Sequence, residues 1–224
     1  MSGMQSIPAG TRLSLFKVFI LCLISAGGNA LTSYFTSDIA RLPLYLDTIF
    51  TVAVCFSLGL RPALLVAVVL NPLLSVFFIR YLQGHSIEAV LTGRIFTICT
   101  VVEVFLVFYF HKRFKKQETV FLKNPSLNSF ITVAAFLLTL AAFDCILISI
   151  SGGIIDFILT KLSAPRSYFP EDTFKLGLLR NNVPVLASAV FSRIPINIVD
   201  RFIAVFCGYG ISLFYRKISK IFPE

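Results

Sequence analysis

The amino-acid sequence predicts an all-α membrane protein, a bundle of about six transmembrane helices with a longer, partly helical loop between helices five and six. Three observations predict it. Hydrophobic residues make up 57% of the chain and charged residues 14%, against about 45–50% and about 25% in soluble domains. With 224 residues and a mean hydropathy of +0.87, the chain is too short to hide that excess in a core and still wet its surface. The apolar residues also come in runs that approach the roughly 20 positions of a helical span. Stretches such as 131–140 are apolar on every side, whereas a membrane β-barrel alternates.

The first span is expected at about 13–35. Its basic start (Arg12, Lys17) and its Gly28, Asn29, Ala30 ending also fit a cleaved signal peptide. Five further spans and no soluble domain to export favour an uncleaved helix. The second span, about 43–60, opens on Pro43, which a first helical turn accepts. Gly59 and Pro62 read as a stop and a restart, giving a tight hairpin into the third span, about 62–82. Pro72 is expected to kink that helix and free a carbonyl near Val68. The fourth span, about 89–110, leads into a basic loop running from His111 to Lys116 with Lys123 behind it, and the fifth covers about 127–150.

From Ser151 to Pro195 the pattern is less regular. Gly152 and Gly153 open a short amphipathic stretch, 154–162, expected either at the membrane interface or folded back as a lid. A polar stretch, a short apolar piece and the sixth span, about 195–215, follow. Few residues remain beyond it, so no output domain is expected, and the whole chain reads as one transmembrane domain.

The net charge of +9 sits between apolar spans. That placement fits anionic lipid and the positive-inside bias, and no zinc-finger, helix-turn-helix or RNA-binding pattern points to nucleic acid. Counting Lys and Arg in the short loops puts both termini in the cytoplasm. The five cysteines fall singly, with no metal-ligand spacing, so neither metal nor cofactor is expected. Protease, P-loop and hydrolase motifs are missing too, and no catalytic residue is assigned.

In that orientation the intramembrane polar residues gather toward the outer half: Asn29 and Tyr34 in the first span, Asp47 in the second, Arg94 in the fourth, Asp144 in the fifth, and Asn197, Asp200 and Arg201 in the sixth, with Glu103 and Asn71 deeper. A charge at the bilayer centre costs about 2.5–3.5 kcal/mol on insertion scales, so such groups face one another or a polar cavity. Individually they serve equally well as ion pairs that hold the bundle. As a group they point to a solute site lined by Asn29, Tyr34, Asp47, Arg94, Asp144, Asn197 and Asp200. Ala26 and Ala30 show a spacing that lets helices approach closely, for packing within the bundle or for docking another membrane subunit.

Three segments then resemble a known family. Leu42-Pro43-Leu44-Tyr45-Leu46-Asp47-Thr48 looks like the opening of the second helix, Leu58-Gly59-Leu60-Arg61-Pro62 with Asn71 like the hairpin and third helix, and Ile194-Pro195-Ile196-Asn197-Ile198-Val199-Asp200-Arg201 like the start of the sixth, in substrate-binding S components of energy-coupling factor (ECF) transporters, a class of ABC importer. The resemblance implies a non-catalytic subunit in the plasma membrane that captures a small organic micronutrient, a vitamin or its precursor, on the outer face. It implies a transmembrane coupling subunit and two ABC ATPases as partners, with Ala26 and Ala30 matching the family's docking spacing. The same architecture also resembles sensor domains found ahead of kinases, and the alternative reading is a stand-alone membrane sensor or scaffold without transport activity.

Overall fold

The computed structural model describes residues 15–78, 87–162 and 172–221, which are all-helical, without a strand. Expectations that fall on Arg12, on the end of the third span or on 163–171 lie outside the described residues. Among the described residues four helical stretches, Leu15–Ile39, Leu91–Lys123, Leu127–Lys161 and Val185–Lys217, are long and apolar enough to cross a membrane, and two shorter apolar ones, Ile49–Leu58 and Leu60–Leu74, pack among them. The chain is a helical membrane protein.

Helix α1 (Leu15–Tyr34) ends in a π-helical turn over Phe35–Ile39. Helix α2 (Ile49–Leu58) starts later than the sequence predicts. Leu46 adopts a left-handed conformation (φ 43°) that no helix accommodates, so regular structure begins only past Thr48. At the other end Gly59, at φ 89°, turns the chain directly into α3 (Leu60–Leu65), as the expected hairpin requires.

The expected distortion at Pro72 takes the form of a π-helical turn over Val66–Leu70, followed by α4 (Asn71–Phe78). Proline offers no N–H to the carbonyl four residues back. The ladder widens just ahead of it: the Asn71 N–H bonds to the Val66 carbonyl, one residue further back than in an α-helix.

The fourth span is broken at its start into α5 (Ile87–Gly93), a 3-10 turn (Arg94–Phe96) and α6 (Thr97–Lys123). The basic stretch expected as a loop, from His111 to Lys123, is the last half of α6. It holds good helix formers and meets no proline until Pro125. Its inward face is anchored as well. Phe114 stacks on Phe136 with ring centroids 4.0 Å apart, and Glu118 bonds Arg216 at 2.8 Å and His111 at 3.0 Å. Lys112, Arg113, Lys115 and Lys116 stay exposed.

Helix α7 (Leu127–Lys161) also outruns its expected end, because Gly152 and Gly153 do not interrupt it. They are packing residues. A Cβ at Gly153 would sit 2.7 Å from the Val190 Cα and 2.9 Å from its N, and one at Gly152 would sit 3.0 Å from an Arg193 nitrogen. The stretch 154–162 is therefore neither a lid nor an interfacial helix but the last turns of α7, against which α8 (Asp172–Arg180) and α9 (Val185–Phe191) fold. Helix α10 (Ile194–Ile221) completes the chain.

At the centre lies α2, where every residue from Thr51 to Phe56 is buried. Helix α10 packs most extensively against it, at Gly208, where a Cβ would stand 2.9 Å from both the Ile49 carbonyl oxygen and the Val52 Cβ. Between helices in lipid there is no water to expel, so this close van der Waals fit is itself a main source of cohesion.

Candidate solute site

The loop between α1 and α2 is built to hold one shape. Leu46, strained by its positive φ, is clamped at both of its backbone polar groups: its N–H donates to Asp200 Oδ1 at 2.8 Å, and its carbonyl accepts from Thr32 Oγ1 at 2.8 Å. Tyr45 N–H donates to the same Asp200 oxygen at 3.0 Å. The clamp fixes the two residues that follow, Asp47 and Thr48, at the mouth of the bundle.

Thr48 points inward to a fully buried polar cluster. Its hydroxyl donates to Glu103 Oε1 at 3.1 Å and accepts from Arg201 Nη1 at 3.1 Å. The Arg201 guanidinium pairs with Glu103 at 2.8 Å and with its chain neighbour Asp200, and reaches Asp47 at 3.9 Å. Asp144 stands beside this cluster on α7, wholly buried. Asn197 is buried too but looks elsewhere, donating to Ser149 Oγ at 2.9 Å.

A second polar joint ties α1 to its neighbours. Asn29 accepts from the Phe50 N–H at 2.9 Å and donates to Thr51 Oγ1 at 2.8 Å and to Asn71 Oδ1 at 3.2 Å. Phe50 N–H sits in the first turn of α2, where it has no partner within the helix, so one side chain caps that helix and fastens the widened turn before Pro72 to α1.

Between this joint, the loop and the 3-10 turn lies a partly open cavity of about 90 Å³. Its polar wall is made of Asn29 and Ser33 from α1, Asp47 from the loop, Asn71 from α4, Arg94 from the 3-10 turn and Thr97 and Thr100 from α6. Of the seven residues the sequence assigned to a solute site, the structure brings Asn29, Asp47 and Arg94 together in this wall. Asp200 serves as the clamp behind it, Asp144 belongs to the buried cluster, Asn197 bonds Ser149, and Tyr34 stands half-buried at the end of α1. Ala26 is fully buried in the bundle and Ala30 lines the cavity, so both face inward in this structure.

The charge arrangement is specific. Asp47, with its side chain half exposed, presents a carboxylate at the cavity and Arg94 a guanidinium, while Arg201 connects the wall to the interior. Glu103, Thr48 and Arg201 were outside the seven assigned residues. Glu103 carried a usable signal, a carboxylate in the middle of an apolar run. Among the described residues no group of three or more His, Cys, Asp or Glu side chains is placed to hold a metal. No family model, curated protein or solved structure matches the chain.

Proposed function

We propose that this chain is the membrane-embedded solute-binding subunit of an ECF-type importer, crossing the plasma membrane six times with both ends in the cytoplasm. The observation that carries the reading is the cavity in which Asn29, Asp47 and Arg94 converge from three separate segments, backed by the buried Arg201 cluster. Intramembrane ionisable groups are costly and normally serve a solute or ion path. A facing carboxylate and guanidinium suit a small organic solute with polar groups of both signs. At about 90 Å³ the cavity takes a small solute or one end of a larger one, since a drug-sized ligand needs at least about 300 Å³.

In this reading the chain binds the solute and hydrolyses no ATP. A transmembrane coupling subunit and two ABC ATPases supply ATP hydrolysis, and their association favours an inward-facing state of lower affinity. Ligand release follows only if those partners bind the two states with different free energies. The test is a tagged pull-down from native membranes in mild detergent, with mass spectrometry for proteins and small molecules. Recovery of a coupling subunit, two ATPases and an organic solute is the expected result. Recovery of the chain alone and empty, under conditions that preserve such complexes, overturns it in favour of a stand-alone sensor or scaffold.

A further inference from the structure

The outward face of α6 changes character along a single ridge. At about 100° per residue, Ile98, Phe105, Tyr109, Lys112 and Lys116 fall within about 60° of one another on the helix surface, and all five are exposed. Ile98 and Phe105 suit hydrocarbon. Tyr109 has an apolar ring and a polar tip, the combination favoured where hydrocarbon meets headgroups. The cations begin three residues later. Phe114 and Glu118 lie on the opposite face, turned to Phe136 and Arg216. The lipid-facing side of α6 is thus apolar up to Tyr109 and cationic beyond it.

These cations are crowded. Lys112, Arg113, Lys115 and Lys116 are all exposed. Together they occupy about 6 Å of helix axis, and one headgroup layer is about 5–7 Å deep. Lys112 and Lys116 are four residues apart, Arg113 and Lys116 three, and like charges at those spacings weaken a helix unless an anion lies between them. Among the described residues no acid at this end is free to supply it. Glu118 is the only acid between Val104 and Phe143, and it is buried, with its oxygens on Arg216 at 2.8 Å and His111 at 3.0 Å. Arg216 also donates to the Phe56 carbonyl at 2.6 Å, which brings the end of α2 to the same level. Arg61, just past that end, and Lys217 add further exposed cations there.

We propose that Lys112, Arg113, Lys115 and Lys116 form a binding surface for anionic phospholipid headgroups. The occupant follows from continuity along the ridge. Acyl chains cover Ile98 and Phe105, and the phosphates of those same lipids lie level with the four cations. Arg113 suits a phosphate held by two parallel N–H bonds, and the three lysines act as point charges. Each cation near an anionic surface adds to the attraction, so preference over zwitterionic lipid is the joint effect of all four. The surface is remote from the solute cavity, which meets α6 at Thr97 and Thr100. It stands whether or not the chain belongs to an importer.

Native mass spectrometry of the whole chain, released from detergent in the presence of equal phosphatidylglycerol and phosphatidylcholine with the same acyl chains, tests the proposal. The wild-type protein is expected to retain phosphatidylglycerol over phosphatidylcholine by roughly tenfold or more. The combined variant Lys112→Gln, Arg113→Gln, Lys115→Gln, Lys116→Gln should cut that ratio by roughly fivefold or more, with helicity unchanged because glutamine is also a good helix former. Lys161→Gln with Arg180→Gln, which neutralises two exposed cations at the opposite end of α7 and on α8, should keep the ratio. Equal retention of the two lipids by the wild-type protein overturns the proposal, and this arm requires no variant to fold. A ratio preserved in the fourfold variant, or lost equally in the Lys161 and Arg180 variant, overturns it as well. So does displacement of phosphatidylglycerol by inorganic phosphate at equal concentration, which would mark a site for free anions instead of a lipid surface.

Discussion

Lys175 on α8 places its ammonium 2.6 Å from an Asp156 carboxylate oxygen on α7, with both side chains sealed from solvent. Thr160 accepts a second bond from the same ammonium at 3.1 Å. This pair fastens the α8 segment to the long helix. Removing one partner strands a buried charge, which costs about 3–5 kcal/mol, whereas replacing both by apolar groups of similar size is often neutral. Lys175→Met is therefore expected to lower the unfolding temperature in detergent sharply. Combining it with Asp156→Leu should recover most of the loss. A double variant as unstable as the single one would show that the pair is not what holds α8 in place.

Gly153 on α7 and Gly208 on α10 give a second prediction, because atoms of neighbouring helices, backbone among them, crowd both. Gly153→Ala drives a methyl into Val190, and Gly208→Ala into Ile49 and Val52. Overpacking of this kind costs about 1–3 kcal/mol. Gly27 and Gly210, on the same kinds of helix, have nothing within 4 Å of a built Cβ. Alanine there should leave melting unchanged or raise it slightly. Equal behaviour of all four in a melting series would remove the close-packing account of α9 and α2.

Cavity and interior separate in a third experiment. Asp47→Ala and Arg94→Ala should each reduce the solute retained through purification at least tenfold, equivalent to about 1.4 kcal/mol, with little change in melting. Arg201→Ala leaves Glu103 and Asp200 buried without their cation, so it should destabilise the fold as well. Full retention of solute by both Asp47→Ala and Arg94→Ala would dismiss this cavity as the binding site.

A fourth prediction concerns Asp200, which acts without lining the cavity. Asp200→Asn keeps a carbonyl oxygen for the Tyr45 and Leu46 N–H groups, while Asp200→Ala leaves both without their acceptor. A lost buried hydrogen bond costs about 1–3 kcal/mol for each group left unsatisfied. The alanine variant should therefore lose solute far more than the asparagine variant. Equal loss in both would mean that the charge next to Arg201, and not the clamp, is what counts.

The helical class, the membrane and the break near Pro72 were legible because they rest on local signals: composition, run length, and a residue lacking an N–H. Element ends were less so. Gly152 and Gly153 look like breakers in sequence, yet they mark where α9 presses on α7, and a tertiary contact leaves no local trace. His111–Lys123 reads as a loop by charge but is helical by propensity and by the Phe114 and Glu118 anchors. For the site, residue type alone found Asn29, Asp47 and Arg94. It could not tell a wall residue from a support such as Asp200, because that distinction depends on a loop bond spanning 154 positions of chain.

That loop bond has a mechanical consequence. With Asp200 gripping Tyr45 and Leu46, the segment carrying Asp47 cannot shift independently of α10, and Asn29 rivets α1 to α2 and α4 in the same way. The cavity wall is thus a braced frame: two of its faces move only together with the helices behind them, and an arriving solute meets a mouth whose outline α1 and α10 have set in advance.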